Sequence, residues 1–112
     1  MTKTVDIEAM YQHLEDTVRS YNPSANFQQI RQAYEFARDL HGPQLRKDGS
    51  PFITHPLAVA QIVAEELHLD SESIEAALLH DTIEDTDATH EQLAKLFSPT
   101  VADLVEAVSK LT

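Results

Sequence analysis

Apolar positions recur at three- and four-residue spacing along most of the chain, and the two-residue alternation of a half-buried strand is nearly missing. The first run, Ile7, Met10, Tyr11, Leu14 and Val18, predicts a helix from about Val5 to Ser20, stopped by Tyr21-Asn22-Pro23. A second begins near Pro23-Ser24, where Asn22 or Ser24 can cap. It carries Phe27, Ile30, Tyr34, Phe36, Ala37 and Leu40 and ends at Gly42-Pro43. Pro56 suits the first position of a third helix, built on Leu57, Val59, Ala60, Ile62, Val63 and Leu67. Asp70 can cap a fourth, running from about Ser71 through Asp85. Thr89-x-x-Gln92 is a capping box for a short helix to Phe97, and Ser98-Pro99 opens a last one with Val101, Leu104, Val105 and Val108. The expected fold is all-α, a bundle of about six helices. The last helix runs into Thr112 without a stop signal, so we expect the bundle to be truncated there.

Between the second and third helices the segment from His41 to His55 holds both glycines of the chain and two of its five prolines. It is the one long irregular loop, and loops on a rigid scaffold are where sites tend to sit. Arg46-Lys47-Asp48-Gly49 within it reads either as a polar turn or as a nucleotide-binding loop, with Arg46 stacking on a base and Lys47 reaching a phosphate. Farther on, Ala76-Ala-Leu-Leu-His80-Asp81-Thr-Ile-Glu84-Asp85 follows an apolar turn with four ionisable groups. On one continuous helix these would share a sector of roughly 140°. The opposite side carries Ala76, Leu79 and Ile83, so the helix is expected to lie deep in the protein. Three carboxylates and an imidazole there would repel and be poorly solvated unless a cation sat among them. The bland alternative is a solvated helix end. His55, at the loop-to-helix junction, can be a cap or a ligand, and imidazole with carboxylate suits a first-row ion such as manganese or iron. His13, His41, His68 and His90 fit surface or helix-end roles.

Composition narrows the function. The 112 residues carry 19 Asp plus Glu against 8 Lys plus Arg, a formal charge of −11, which is one domain and an acidic one. Such a chain repels a nucleic-acid backbone unless its basic residues are gathered on one face, and here they are scattered apart from the Arg46-Lys47 pair. A phosphate ligand would have to be met by that pair or by a metal ion. No Cys is present, which excludes disulfides and thiolate zinc sites and fits the cytoplasm. The apolar stretches, such as Leu57 to Ala60, are far shorter than the ~18 residues of a membrane span, and no signal-peptide pattern opens the chain.

With these residues in view, the chain resembles the N-terminal portion of the hydrolase domain of the RelA/SpoT family, HD-superfamily enzymes that degrade guanosine tetraphosphate and pentaphosphate. The resemblance covers about residues 34–112. It is carried by Ala33-Tyr-Glu-Phe-Ala37, by Gln44-Leu-Arg-Lys-Asp-Gly-Ser-Pro-Phe-Ile-Thr-His-Pro56-Leu-Ala-Val-Ala60, by Ala76 to Thr86, and by Leu104-Val-Glu-Ala-Val-Ser-Lys-Leu-Thr112. It implies that His55, His80 and Asp81 are ligands of a manganese ion, that Glu84 and Asp85 orient and activate the attacking water, and that Arg46 and Lys47 hold the guanosine side of the substrate. The implied reaction is removal of the 3′-pyrophosphate to release GDP or GTP, the alarmone turnover of the stringent response.

Departures from the family pattern are Pro43 and Ala107 where Gly is usual, Phe52 where Tyr is usual, and Ser98-Pro99 in place of Phe-Gly. The family's fourth ligand, an Asp on a later helix, has no counterpart within the chain. Little activity is therefore expected of the chain alone, and uncovered apolar faces would favour pairing of copies. Two rival readings remain: a degenerate HD domain kept as a regulatory or oligomerisation module, and an HD phosphohydrolase acting on another nucleotide.

Overall fold

A computed structural model describes the backbone of residues 6–111 and the side chains of residues 6–108. The described residues form α1 (Ile7–Tyr21), α2 (Phe27–His41), α3 (Thr54–Ile62), α4 (Ser71–Leu79), α5 (Thr82–Asp85), α6 (His90–Leu96) and α7 (Pro99–Leu111). Among them the extended backbone amounts to a single bridge between Leu45 and Pro51. The fold is all-α, as the periodicity predicts. None of the described helices is long and apolar enough to cross a membrane.

Local chemistry sets most of the boundaries. Asp70 caps α4 by accepting from the Ser73 N–H at 2.9 Å, Thr89 caps α6 by accepting from the Gln92 N–H, and the Ser98 hydroxyl accepts from the Val101 N–H at the start of α7. Helix α2 starts later than the sequence implied, because the cap is Asn26, whose side chain accepts from the Gln29 N–H, and neither Asn22 nor Ser24. Helix α3 begins before Pro56, whose missing N–H costs nothing in a first turn, and then widens into a π-helical turn over Val63–Leu67 that ends at His68 in the left-handed conformation.

The expected helix from Ser71 through Asp85 is two helices, broken at His80-Asp81. Side-chain donors take the last carbonyls of α4. His80 Nδ1 donates to the Ala77 carbonyl at 2.7 Å and the Thr82 hydroxyl to the Leu79 carbonyl at 2.7 Å, satisfying oxygens that a continuing backbone would have bonded.

The core joins Tyr11, Leu14 and Val18 of α1, Ile30, Tyr34 and Ala37 of α2, Leu57 and Ala60 of α3, Ile74, Leu78 and Leu79 of α4, and Val101 and Val105 of α7. Tyr11 and Tyr34 stack with centroids 4.5 Å apart, joining α1 to α2. Helix α4 lies in the middle, packed against α2, α3 and α7. The His80-Asp81 break thus hangs on the most enclosed helix of the bundle.

Candidate metal centre

Packing of α3 against α4 brings His55, in the first turn of one, to the break that ends the other. Asp81 Oδ2 lies 3.3 Å from His55 Nε2 and 3.1 Å from His80 Nε2, and the two imidazole rings meet edge to face with centroids 5.2 Å apart. One ligand atom from each of the three residues falls within 4.8 Å of the others. His80 and Asp81 are mostly buried, while His55 keeps about a third of its side chain exposed. Residues 25 apart in sequence therefore form one cluster, open on the His55 side.

The donor set fits a cation. A carbonyl only accepts, so His80 Nδ1 must carry the proton it gives to Ala77, which leaves Nε2 as the lone pair facing Asp81. Without a cation the Nε2–Oδ2 contact requires a second proton on that ring. Burial works against the charged His80, but the hydrogen bond with Asp81, the Ala77 carbonyl and the charges of Asp81 and Asp85 outweigh it and raise its pKa. Asp81 moves the other way: the His80 hydrogen bond, helped by the nearby His80, His55 and His41, holds its carboxyl below the usual range despite burial. Burial lowers the pKa of His55, and His80 and Arg46 lower it further, against the pull of Asp81 and Asp85. A ring held neutral is the form that binds a metal. The polarised trio of His55, His80 and Asp81 can hold a divalent ion.

Glu84 and Asp85 do not join the trio. The break at His80-Asp81 turns α5 so that both side chains are exposed, in place of the single inward sector expected of a continuous helix. Asp85 is near enough for its charge to act on His55 and His80, and both side chains are free of the crowding that buried carboxylates would have suffered.

Arg46 and Lys47 occupy the tip of a tight turn in the loop. The Arg46 N–H donates to the Ser50 carbonyl at 2.8 Å, the Gly49 N–H to the Arg46 carbonyl at 2.9 Å, and the Asp48 carboxylate takes both the N–H and the hydroxyl of Ser50. Gly49 sits at φ +88, a conformation L side chains rarely adopt. Together with Leu45, Asp48 and Phe52 the basic pair lines an open cleft of about 440 Å³. Arg19, Arg31 and Arg38 are each engaged by carboxylates, whereas among the described residues Arg46 and Lys47 have no ion-pair partner. A polyanion would find their charge free.

Two polar residues escape a reading from sequence. His41, expected at the surface or a helix end, is indeed the last residue of α2 but is only 1% exposed. Its position continues the buried stripe Ile30, Tyr34, Ala37, which was the available signal. Its ring packs on Phe52 with centroids 4.4 Å apart, and Phe52 in turn meets His55 edge to face. Glu75, in the middle of α4, is wholly buried, and neither carboxyl oxygen has a partner among the described residues. Of the remaining histidines, His13 and His68 are exposed, and His90 on α6 bridges to Asp103 on α7 at 2.8 Å. An apolar groove of about 230 Å³ lined by Val59, Val63, Ala76, Ala77, Leu104 and Val108 reaches His80 from outside.

Comparison with known proteins places this arrangement. The sequence profile of the HD domain matches residues 33–112. The chain is 50% identical over 102 residues to the bifunctional (p)ppGpp synthase/hydrolase SpoT of Escherichia coli K12, covering 91% of this chain and 14% of that protein. It is 55% identical over 84 residues to the guanosine-3′,5′-bis(diphosphate) 3′-pyrophosphohydrolase of Aquifex aeolicus, covering 75% and 12%. To the GTP pyrophosphokinase of Myxococcus xanthus it is 50% identical over 96 residues, covering 86% and 12%. The chain thus spans about one seventh of the length of such relatives. A His-Asp pair at a helix break, met by a distant histidine and matched by that profile, means that the chain belongs to the HD domain family, in the RelA/SpoT kind, a class that implies a divalent metal.

Proposed function

We propose that this chain carries the hydrolytic site of a (p)ppGpp 3′-pyrophosphohydrolase: manganese-dependent cleavage of guanosine 3′-diphosphate 5′-di(tri)phosphate to GDP or GTP and pyrophosphate. We propose further that it is the N-terminal portion of that catalytic domain, weakly active by itself, and that it works in the cytoplasm. The observation that carries the reading is the meeting of His55, His80 and Asp81 beside the unpaired Arg46-Lys47 turn. A module kept only for regulation has no physical need to hold that cluster together.

The division of labour follows from the chemistry of each side chain. His55, His80 and Asp81 would hold the ion, which when bound polarises phosphoryl oxygens and lowers the pKa of water. The Ala77 carbonyl, by taking the Nδ1 proton, keeps His80 in the tautomer whose Nε2 lone pair faces the cluster. Glu84 or Asp85, exposed to solvent, is the carboxylate base that takes the proton of the attacking water. Arg46 supplies a planar guanidinium for the base of the nucleotide, and Lys47 a point charge for its phosphates. The substrate is strongly anionic and the protein strongly acidic, so binding depends on these few cations.

The test is calorimetric titration of the purified chain with manganese, followed by incubation with guanosine tetraphosphate and chromatography of the products. Manganese binding with release of GDP and pyrophosphate, slow in this chain and faster in one extended at its C-terminus, is the expected result. Cleavage of another nucleotide in preference to the tetraphosphate would overturn the substrate, and failure to bind any divalent ion would overturn the site.

A further inference from the structure

Gln44 is bonded at four points, and the pattern has a consequence for His41. Its backbone N–H donates to the His41 carbonyl at 3.0 Å, and its carbonyl accepts from the Phe52 N–H at 2.9 Å. Its side-chain amide donates to the Asp85 carbonyl at 3.2 Å, and its amide oxygen meets His41 Nδ1 at 3.2 Å. The Asp85 carbonyl is an acceptor only, so the –NH₂ end of Gln44 must face it and the oxygen must face His41. His41 Nδ1 is then the donor. In the neutral ring the lone pair falls on Nε2, which is buried and has no partner among the described residues.

The chain of bonds runs from the buried end of α2, through the loop that bears Arg46 and Lys47, to the C-terminal turn of α5. Phe52 closes the same unit by packing on the His41 ring. Helix α5 has only four residues, held by its own backbone bonds from the Asp85 N–H to the Asp81 carbonyl and from the Thr86 N–H to the Thr82 carbonyl, and the Gln44 amide adds a tether from the loop to its last carbonyl.

We infer that His41 and Gln44 form a positioning pair that fixes the acidic turn Glu84-Asp85 relative to the Arg46-Lys47 loop, with His41 acting as the Nδ1–H tautomer. Neither residue belongs to the His55, His80 and Asp81 cluster. The pair acts through the geometry it imposes on Glu84, Asp85, Arg46 and Lys47, and in that respect the inference rests on the functional reading above.

Long-range proton–nitrogen correlation NMR on the intact chain reads the tautomer directly, and amide hydrogen exchange reads the anchoring of α5. The expected results are a His41 ring protonated at Nδ1 and exchange at Asp85 and Thr86 accelerated about fivefold in Gln44→Ala, the scale of one lost hydrogen bond. His41→Asn, which keeps a donor near the Nδ1 position, should exchange like wild type, whereas His41→Leu should match Gln44→Ala. Manganese affinity should stay within about twofold in Gln44→Ala, while kcat for the tetraphosphate falls roughly tenfold or more at nearly constant KM, as expected when reacting groups are misplaced. A His41 ring protonated at Nε2 alone, or exchange at 85 and 86 indifferent to Gln44→Ala, would overturn the pairing. So would an unchanged kcat in an active chain. Absence of any hydrolysis by the wild type would count against the proposed activity, and the tautomer and exchange measurements would still decide the pair.

Discussion

Glu75 offers the sharpest quantitative test of the packing, since a carboxyl with no accessible surface and no hydrogen-bond partner among the described residues must be costly to ionise. Burial, followed by the charges of Glu72 and Asp70, raises its pKa from 4.5 to about 7. Between those values the folded chain keeps a proton that the unfolded chain has released, so stability falls as pH rises through that window and levels off above it. The displacement corresponds to about 3 kcal/mol in all, of which about 2.5 kcal/mol is lost between roughly pH 5 and pH 8. Glu75→Gln abolishes this titration while keeping shape, its own buried-amide cost being independent of pH. Thermal melts of both proteins should therefore diverge with pH, the wild type losing about 10 °C more than the variant across that range. Subtracting the variant's curve removes whatever pH dependence the two proteins share. Parallel curves for the two proteins would show that the carboxyl finds solvent or a partner, and the reasoning would fail.

Other expectations concern the site and the scaffold separately. His80→Ala should abolish manganese binding by calorimetry together with turnover, whereas Glu84→Ala should leave metal affinity nearly intact while lowering the rate about 100-fold, as for loss of a general base; equal loss of metal in both would refute the assigned roles. Asp70→Ala removes the acceptor for the Ser73 N–H and should cost about 1 kcal/mol in urea denaturation without altering metal affinity. Gly49→Ala meets no steric neighbour, yet its φ of +88 should make the substitution cost about 1 kcal/mol or more. It should also weaken nucleotide binding, measured by titration with guanosine tetraphosphate, with no change in manganese affinity.

What the sequence determined by itself is local in origin. Helical spacing of apolar residues, Asp70 and Thr89 at caps, Ser98 at the start of α7, and the two glycines of the loop act within a few residues of each other, so the all-α fold and the presence of α1, α6 and α7 were legible in advance, the predicted start at Val5 and end at Thr112 lying outside the described residues. The candidate ligands His55, His80 and Asp81 stood out as residue types in a telling order, aided by the likeness to a known family. That they meet was decided by the packing of α3 on α4, a contact between segments whose mutual placement no local rule sets. The same holds for the break at His80-Asp81, made by side chains that claim carbonyls at the end of α4, and for the outward turn of Glu84 and Asp85 that follows from it. Burial of His41 and Glu75 belongs to the tertiary level as well. A polar residue on an apolar stripe is enclosed or solvated according to what the neighbouring helices leave open, and hydrophobic packing, being non-directional, fixes that only when the whole bundle closes.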